Sequence, residues 1–261
     1  VFSSLTNKEK VDELIHQKML EAEELERKNL PFFEELYIYV IRKSALLREL
    51  ESKGVSGVSY FAHGKRGDVF TGIFNSAYSV KKYLAKLGKI KVAIKVKRKE
   101  SFAVDRIRNE VEWLKLLNQE GIGPQLLFSG ENFMVYQFIE GEFILDFMSK
   151  NKENKKKVNN VLIDVLKQCL KMDQLGVNKE EMHHPYKHII TTTDSLGDKP
   201  ILIDFERCYS TDNPHNVTQF GDFLLGSGLV DKEKMIKLLR EYKKERIIEN
   251  YNKIVNLITH S

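Results

Sequence analysis

The chain is poor in cysteine and has no long apolar run. Among its 261 residues only Cys169 and Cys208 are cysteines, too few for a disulfide framework or a cysteine-rich zinc site. No apolar stretch approaches the roughly 18 residues that a membrane helix needs. The opening V-F-S-S-L-T-N-K-E-K does not set a basic stretch before an apolar one, so no secretory signal is read there. Internal repeats and low-complexity tracts are also missing. Together these absences predict a reducing, cytoplasmic setting without a membrane partner, and a monomer by default. With 42% hydrophobic and 10% aromatic residues, the chain can bury a core, as one bilobal domain or one domain with an appendage.

Charge is unevenly spread. The net charge is +5, but Tyr60 to Arg108 holds 13 Lys and Arg against 3 Asp and Glu, leaving the remainder net negative. Such a basic region suits a polyanion such as RNA, and a lysine-rich solvated surface would look the same. Lys81, Lys82, Lys86 and Lys89 concentrate in the connection from Asn75 to Lys89 and are the candidate RNA contacts.

Periodicity divides the chain in three. Residues 1–57 read as a helical extension, opened by the capping box Thr6-Asn7-Lys8-Glu9 and favoured as a brace on the neighbouring lobe. Residues 58–139 read as a β-rich lobe: strands at Ser59–Gly64, Val69–Phe74, Lys91–Val96, Gln125–Ser129 and Phe133–Phe138, with a helix at Arg106–Asn118 that Gly121-Ile122-Gly123-Pro124 stops. Residues 140–261 read as a mostly helical lobe, with an exposed loop over Lys150–Lys157, a helix over Val158–Leu175, a loop with three histidines, and a final helical stretch. The expected class is α+β with two lobes.

Chemistry centres on Ile201-Leu202-Ile203-Asp204-Phe205-Glu206-Arg207. Three aliphatic residues read as a buried strand with an acid at its exit. Asp204 and Glu206, two apart, face one way on an extended chain, and two hard oxygen ligands suit Mg²⁺. Alone, this is also an ordinary strand end. Upstream, Lys95 interrupts the apolar strand Val92-Ala93-Ile94-Lys95-Val96, where an unpaired ammonium is unfavourable. Glu110, on the next helix, is its candidate partner, the pair then presenting the ammonium to nucleotide phosphates. The glycine hairpin Gly64-Lys65-Arg66-Gly67 allows close approach of phosphates. Lys179-Glu180-Glu181 places a carboxylate, Glu181, where it could orient or deprotonate an attacking hydroxyl.

In this order, Gly64, Lys95, Glu110, the hinge-like Tyr136-Gln137-Phe138-Ile139-Glu140-Gly141, Glu181 and Asp204 resemble a protein-kinase-like fold from about Ser59 onward. G-K-R-G-x-V, P-Y-K-H-I-I and I-D-F-E-R more narrowly resemble small archaeal atypical kinases related to the RIO and KEOPS-associated kinases. One member of that family phosphorylates a ribose 2′-hydroxyl of a tRNA uridine. The resemblance implies ATP and Mg²⁺. It implies catalysis by Glu181, Lys95 and Asp204, and a metal held by Asp204 with His188 or Glu206. Nucleotide binding would fall to Gly64, Lys65, Arg66, Gly67, Lys95 and Glu110, with adenine on backbone groups near Gln137 and Ile139. Departures are plain. Lys179-Glu180-Glu181 replaces the H-R-D or H-G-D triplet, His188 stands where an Asn ligand is usual, and Glu206 replaces the Gly after Asp-Phe. Only 57 residues follow Asp204, with no A-P-E, so a peptide platform is not expected. The first expectation is transfer of the γ-phosphate of ATP to tRNA or another folded RNA. A protein Ser/Thr acceptor and a nucleotide-binding scaffold without turnover are the alternatives.

Overall fold

A computed structural model of the chain describes residues 45–63, 67–78, 88–97, 106–195 and 197–260. Most of the expected helical extension, Gly64, Lys65 and Arg66, and Lys81, Lys82 and Lys86 lie outside them. Two compact units are formed: the described residues of Val1–Ile107 with Leu127–Phe138, and Arg108–Leu126 with Ile139–Ser261. The architecture is α+β, a sheet unit and a mainly helical one.

The sheet unit begins with a short helix, α1 (Ala45–Ser52), followed by β1 (Val55–His63), β2 (Gly67–Asn75) and β3 (Lys89–Lys97); β4 (Leu126–Ser129) and β5 (Phe133–Gln137) come later in the chain. Spatial order is β1-β2-β3-β5-β4, and the β1/β2, β2/β3 and β3/β5 pairs are antiparallel. Alternation along the strands sends Phe70, Phe74, Val92, Ile94 and Val135 to one face, where Leu47 and Leu50 of α1 join them in the core. The opposite face is set by register. Lys95 pairs with Val69 on one side and Met134 on the other, and Ala93 pairs with Thr71 and Tyr136. Val69, Ala93, Lys95, Met134 and Tyr136 therefore share it.

The second unit opens with α2 (Arg106–Leu117, in this unit from Arg108 onward) and continues through β6 (Glu142–Phe143), α3 (Ile144–Lys150) and α4 (Lys155–Gln174). A small strand β7 (Val177–Asn178), the strands β8 (Ile189–Asp194) and β9 (Gly197–Leu202), and β10 (Tyr209–Ser210) come next. The chain ends in α5 (Asn216–Ser227), α6 (Lys232–Lys244) and α7 (Ile248–Thr259). Helix α4 starts within the polar run expected as loop, because the Asn154 side chain accepts from Lys157 N at 3.0 Å and caps it. The β-branched run Ile189-Ile190-Thr191-Thr192-Thr193, expected within the histidine loop, forms β8 by pairing with β9 from Ile189–Leu202 to Asp194–Gly197. Pro200, which has no N–H to give, is tolerated because β9 lies at the edge of the order β6-β8-β9. No described helix is long and apolar enough to cross a membrane.

Candidate functional site

The acid segment leaves β9 after Leu202 and is not extended. Asp204 has φ of 63° and Glu181 φ of 71°, the two non-glycine residues with positive φ among the described residues. Left-handed backbone costs a residue with a Cβ about 1–3 kcal/mol, so the surroundings must hold it there. They do so with named bonds. Lys179, a residue only 2% exposed, donates from its ammonium to the Asp204 carbonyl at 2.5 Å and sets it over the Phe205 ring at 5.1 Å. Phe205 N donates to the Glu110 carboxylate at 3.2 Å. Asn109 Nδ2, whose Oδ1 accepts from Trp113 Nε1, donates to the carbonyls of Glu206 at 2.8 Å and Cys208 at 3.2 Å. Gly123 lets the preceding loop close on this segment: a Cβ there would lie 2.8 Å from Phe205 Cε2 and 2.9 Å from Leu114 Cδ2.

This backbone path brings carboxylate oxygens of Glu110, Asp204 and Glu206 within 4.8 Å of one another. Glu110 and Glu206 are buried. Carboxylates gathered this closely form a donor set that a divalent cation could share. Three hard carboxylate donors fit Mg²⁺ and offer nothing soft. Asp204 and Glu206 meet through a left-handed residue and a turn, rather than along the extended chain expected from their spacing.

Glu181 lines a small cavity together with Asp204, Glu206, His188, Lys179 and Arg207. Its carboxylate accepts from Arg207 Nη1 at 2.7 Å and meets His188 Nε2 at 3.0 Å. Burial, then the Lys179 ammonium, pushes His188 below its ordinary value of 6.5, so at neutral pH it is an uncharged ring whose Nε2–H can donate to Glu181. His188 is thus directed at the acid Glu181, while the three-carboxylate cluster forms without it.

The Glu181 loop is hung on the start of α5. Lys179 N donates to Asn216 Oδ1 at 2.8 Å, Met182 N to Gln219 Oε1 at 3.2 Å, and His215 N to Asn178 Oδ1 at 3.0 Å. Asn216 is itself held by buried Asp173 of α4, which accepts from Asn216 N and Nδ2, Val217 N and the Tyr242 hydroxyl. Burial and the Asp173 carboxylate raise Tyr242 far above its ordinary value of 10.0, so it remains a donor.

The fold is similar to the Rio2 kinase from Chaetomium thermophilum, at 15% sequence identity and a TM-score of 0.49, covering 79% of this chain and 62% of that one. The match therefore spans less than two thirds of that protein. No protein-family model and no curated protein matches the sequence.

The remaining expected residues fall in the sheet unit or at its end. Lys95 is half-buried on β3. Lys89 opens β3, exposed. Gly67 opens β2, where a Cβ would meet Val96 O at 2.7 Å. Gln137 ends β5, and Ile139 follows Phe138, whose N–H is taken by Lys91 O at 3.0 Å. Sequence reasoning passed over Asn109, Trp113, Asp173, Lys179 as a buried prop, and Asn216. The one legible trace was the triplet containing Lys179.

Proposed function

We propose that the protein is an ATP-dependent phosphotransferase that moves the γ-phosphate to a hydroxyl, the ribose 2′-hydroxyl of a tRNA nucleotide being the acceptor. One observation supports it above the others. Both left-handed non-glycine residues among those described, Glu181 and Asp204, line one cavity, and strain held by a surrounding network is characteristic of reacting sites. Glu110, Asp204 and Glu206 would hold Mg²⁺, which when bound supplies charge neutralisation to the triphosphate.

The chain's own residues divide the remaining work. On β3, Lys95 offers an ammonium beside the apolar Val69, Ala93 and Met134, a surface suited to phosphates at one end and a purine at the other. Glu181, oriented by Arg207 and His188, takes the proton of the acceptor hydroxyl as its oxygen attacks the γ-phosphorus. The bond from that phosphorus to the β,γ-bridging oxygen breaks, and ADP leaves with the electron pair. The excess of lysine and arginine between Tyr60 and Arg108 favours an RNA acceptor, whose phosphates give affinity that falls steeply with salt.

The deciding experiment offers γ-labelled ATP to bulk tRNA and to a generic protein side by side. Label on tRNA, lost with Glu181→Gln and weakened by salt, supports the reading. Label on protein alone moves the acceptor to Ser/Thr, and no transfer to either leaves a nucleotide-binding scaffold.

A further inference from the structure

Beyond the small cavity, the second unit carries a groove of about 830 Å³, a size suited to a single nucleotide. Glu181 and His188 line both, so the groove adjoins the small cavity at these residues. Its wall holds an unusual run of rings. His183 and His184 lie 4.4 Å apart between centroids, and His184 and Tyr186 5.6 Å apart at 35°. Tyr186 rests edge-on against Phe223 at 6.2 Å, yet is 45% exposed. Tyr209, 40% exposed, lines the same groove. Tyr186 is thus backed by a core phenylalanine while nearly half of it stays open to solvent.

We propose that this groove seats one unpaired nucleotide of the acceptor, its base stacked on Tyr186 and His184 and its ribose hydroxyl turned toward Glu181. This rests on the phosphotransferase reading above and names the form of its substrate: a single-stranded or flipped-out nucleotide, since a base within a duplex cannot offer its face to a side chain. Chemistry favours a base over a peptide side chain. The groove presents flat π-faces with polar imidazole edges, and Lys187 also lines it to meet a flanking phosphate. A stacked base gains about 1–3 kcal/mol from such a ring whatever its identity.

The test uses the full chain and a single-stranded RNA oligonucleotide carrying 2-aminopurine, with fluorescence quenching as a binding readout independent of turnover. Quenching on binding is expected. Tyr186→Ala should weaken binding at least about tenfold and abolish the quench, while Tyr186→Phe retains both and neither variant changes ATP affinity. Equal binding by Tyr186→Ala, equal binding of the same sequence as a duplex, or displacement by a tyrosine-containing peptide would overturn the proposal. Failure of the two readings is distinguishable. Tyr186-dependent quenching without label transfer sinks the phosphotransferase reading and supports the seat. Label transfer to RNA that Tyr186→Ala leaves unchanged, in KM as well as kcat, sinks the seat alone.

Discussion

The two units hold their chemistry-bearing residues by different means. In the sheet unit, Lys95 occupies a regular strand, and its face follows from the two-residue period and from pairing with Val69 and Met134. In the helical unit, Glu181 and Asp204 lie outside regular structure, in backbone that residues with side chains avoid. Their positions depend on Lys179, Asn109, Asn216 and Asp173, which need touch no substrate. A strand places a side chain cheaply and tolerates neighbours of many kinds. A strained loop places it only while every prop is present, so the helical unit should be far more sensitive to changes away from the reacting atoms.

The largest effect tests the metal role in that unit. Asp204→Asn should reduce phosphoryl transfer at least about 1,000-fold, roughly 4 kcal/mol of transition-state stabilisation. The variant should stay folded, since asparagine keeps the side-chain shape and tolerates the left-handed backbone of this position. A large loss of stability would instead make Asp204 a structural residue.

Asn216→Ala comes next and probes a prop rather than a reactant. It leaves Lys179 N without its acceptor, and Asp173 and the Val177 carbonyl without the Asn216 Nδ2 donor, a loss of about 2–4 kcal/mol in denaturant unfolding. Activity should fall in the folded variant too, since the Glu181 loop loses its anchor. Unchanged activity at full folding would mean that the strained loop holds itself.

Lys95→Ala should lower turnover or ATP affinity at least about tenfold, close to 1.4 kcal/mol, with little change in melting temperature. Combined with Asp204→Asn, the loss should be less than additive if both residues act on one triphosphate. Full additivity would separate the units functionally.

The smallest effect concerns pH. Because His188 is lowered below 6.5, the unfolded chain takes up this proton at a higher pH than the folded one does. The contribution of neutral His188 to stability is therefore complete above pH 6.5 and is lost as pH falls toward the folded value. His188→Gln should flatten the decline in melting temperature between about pH 7.5 and 5.5 relative to the unsubstituted protein. An identical slope in both would place the titration elsewhere.

Much of the regular architecture was legible in the residues. Apolar alternation marked the strands around Val69–Phe74, Lys91–Val96 and Phe133–Phe138, and the 3.6 period marked the helix after Val158. Local composition misled where a tertiary partner decides. The lysines at 155–157 look like loop until Asn154 caps a helix through them. Thr191, Thr192 and Thr193 look like part of a polar loop until β9 pairs with them.

What the chain alone determined is the class of fold, because period and residue type are local properties. Convergence of Glu110, 94 positions before Asp204, on the same few ångströms could not be read from spacing. It comes from Phe205 N binding Glu110, from Asn109 gripping the carbonyls of Glu206 and Cys208, and from Gly123 making room for Phe205. Those are long-range hydrogen bonds and close packing. They also decide that Glu181 and Asp204 adopt backbone angles their own side chains disfavour, which only a surrounding structure can impose.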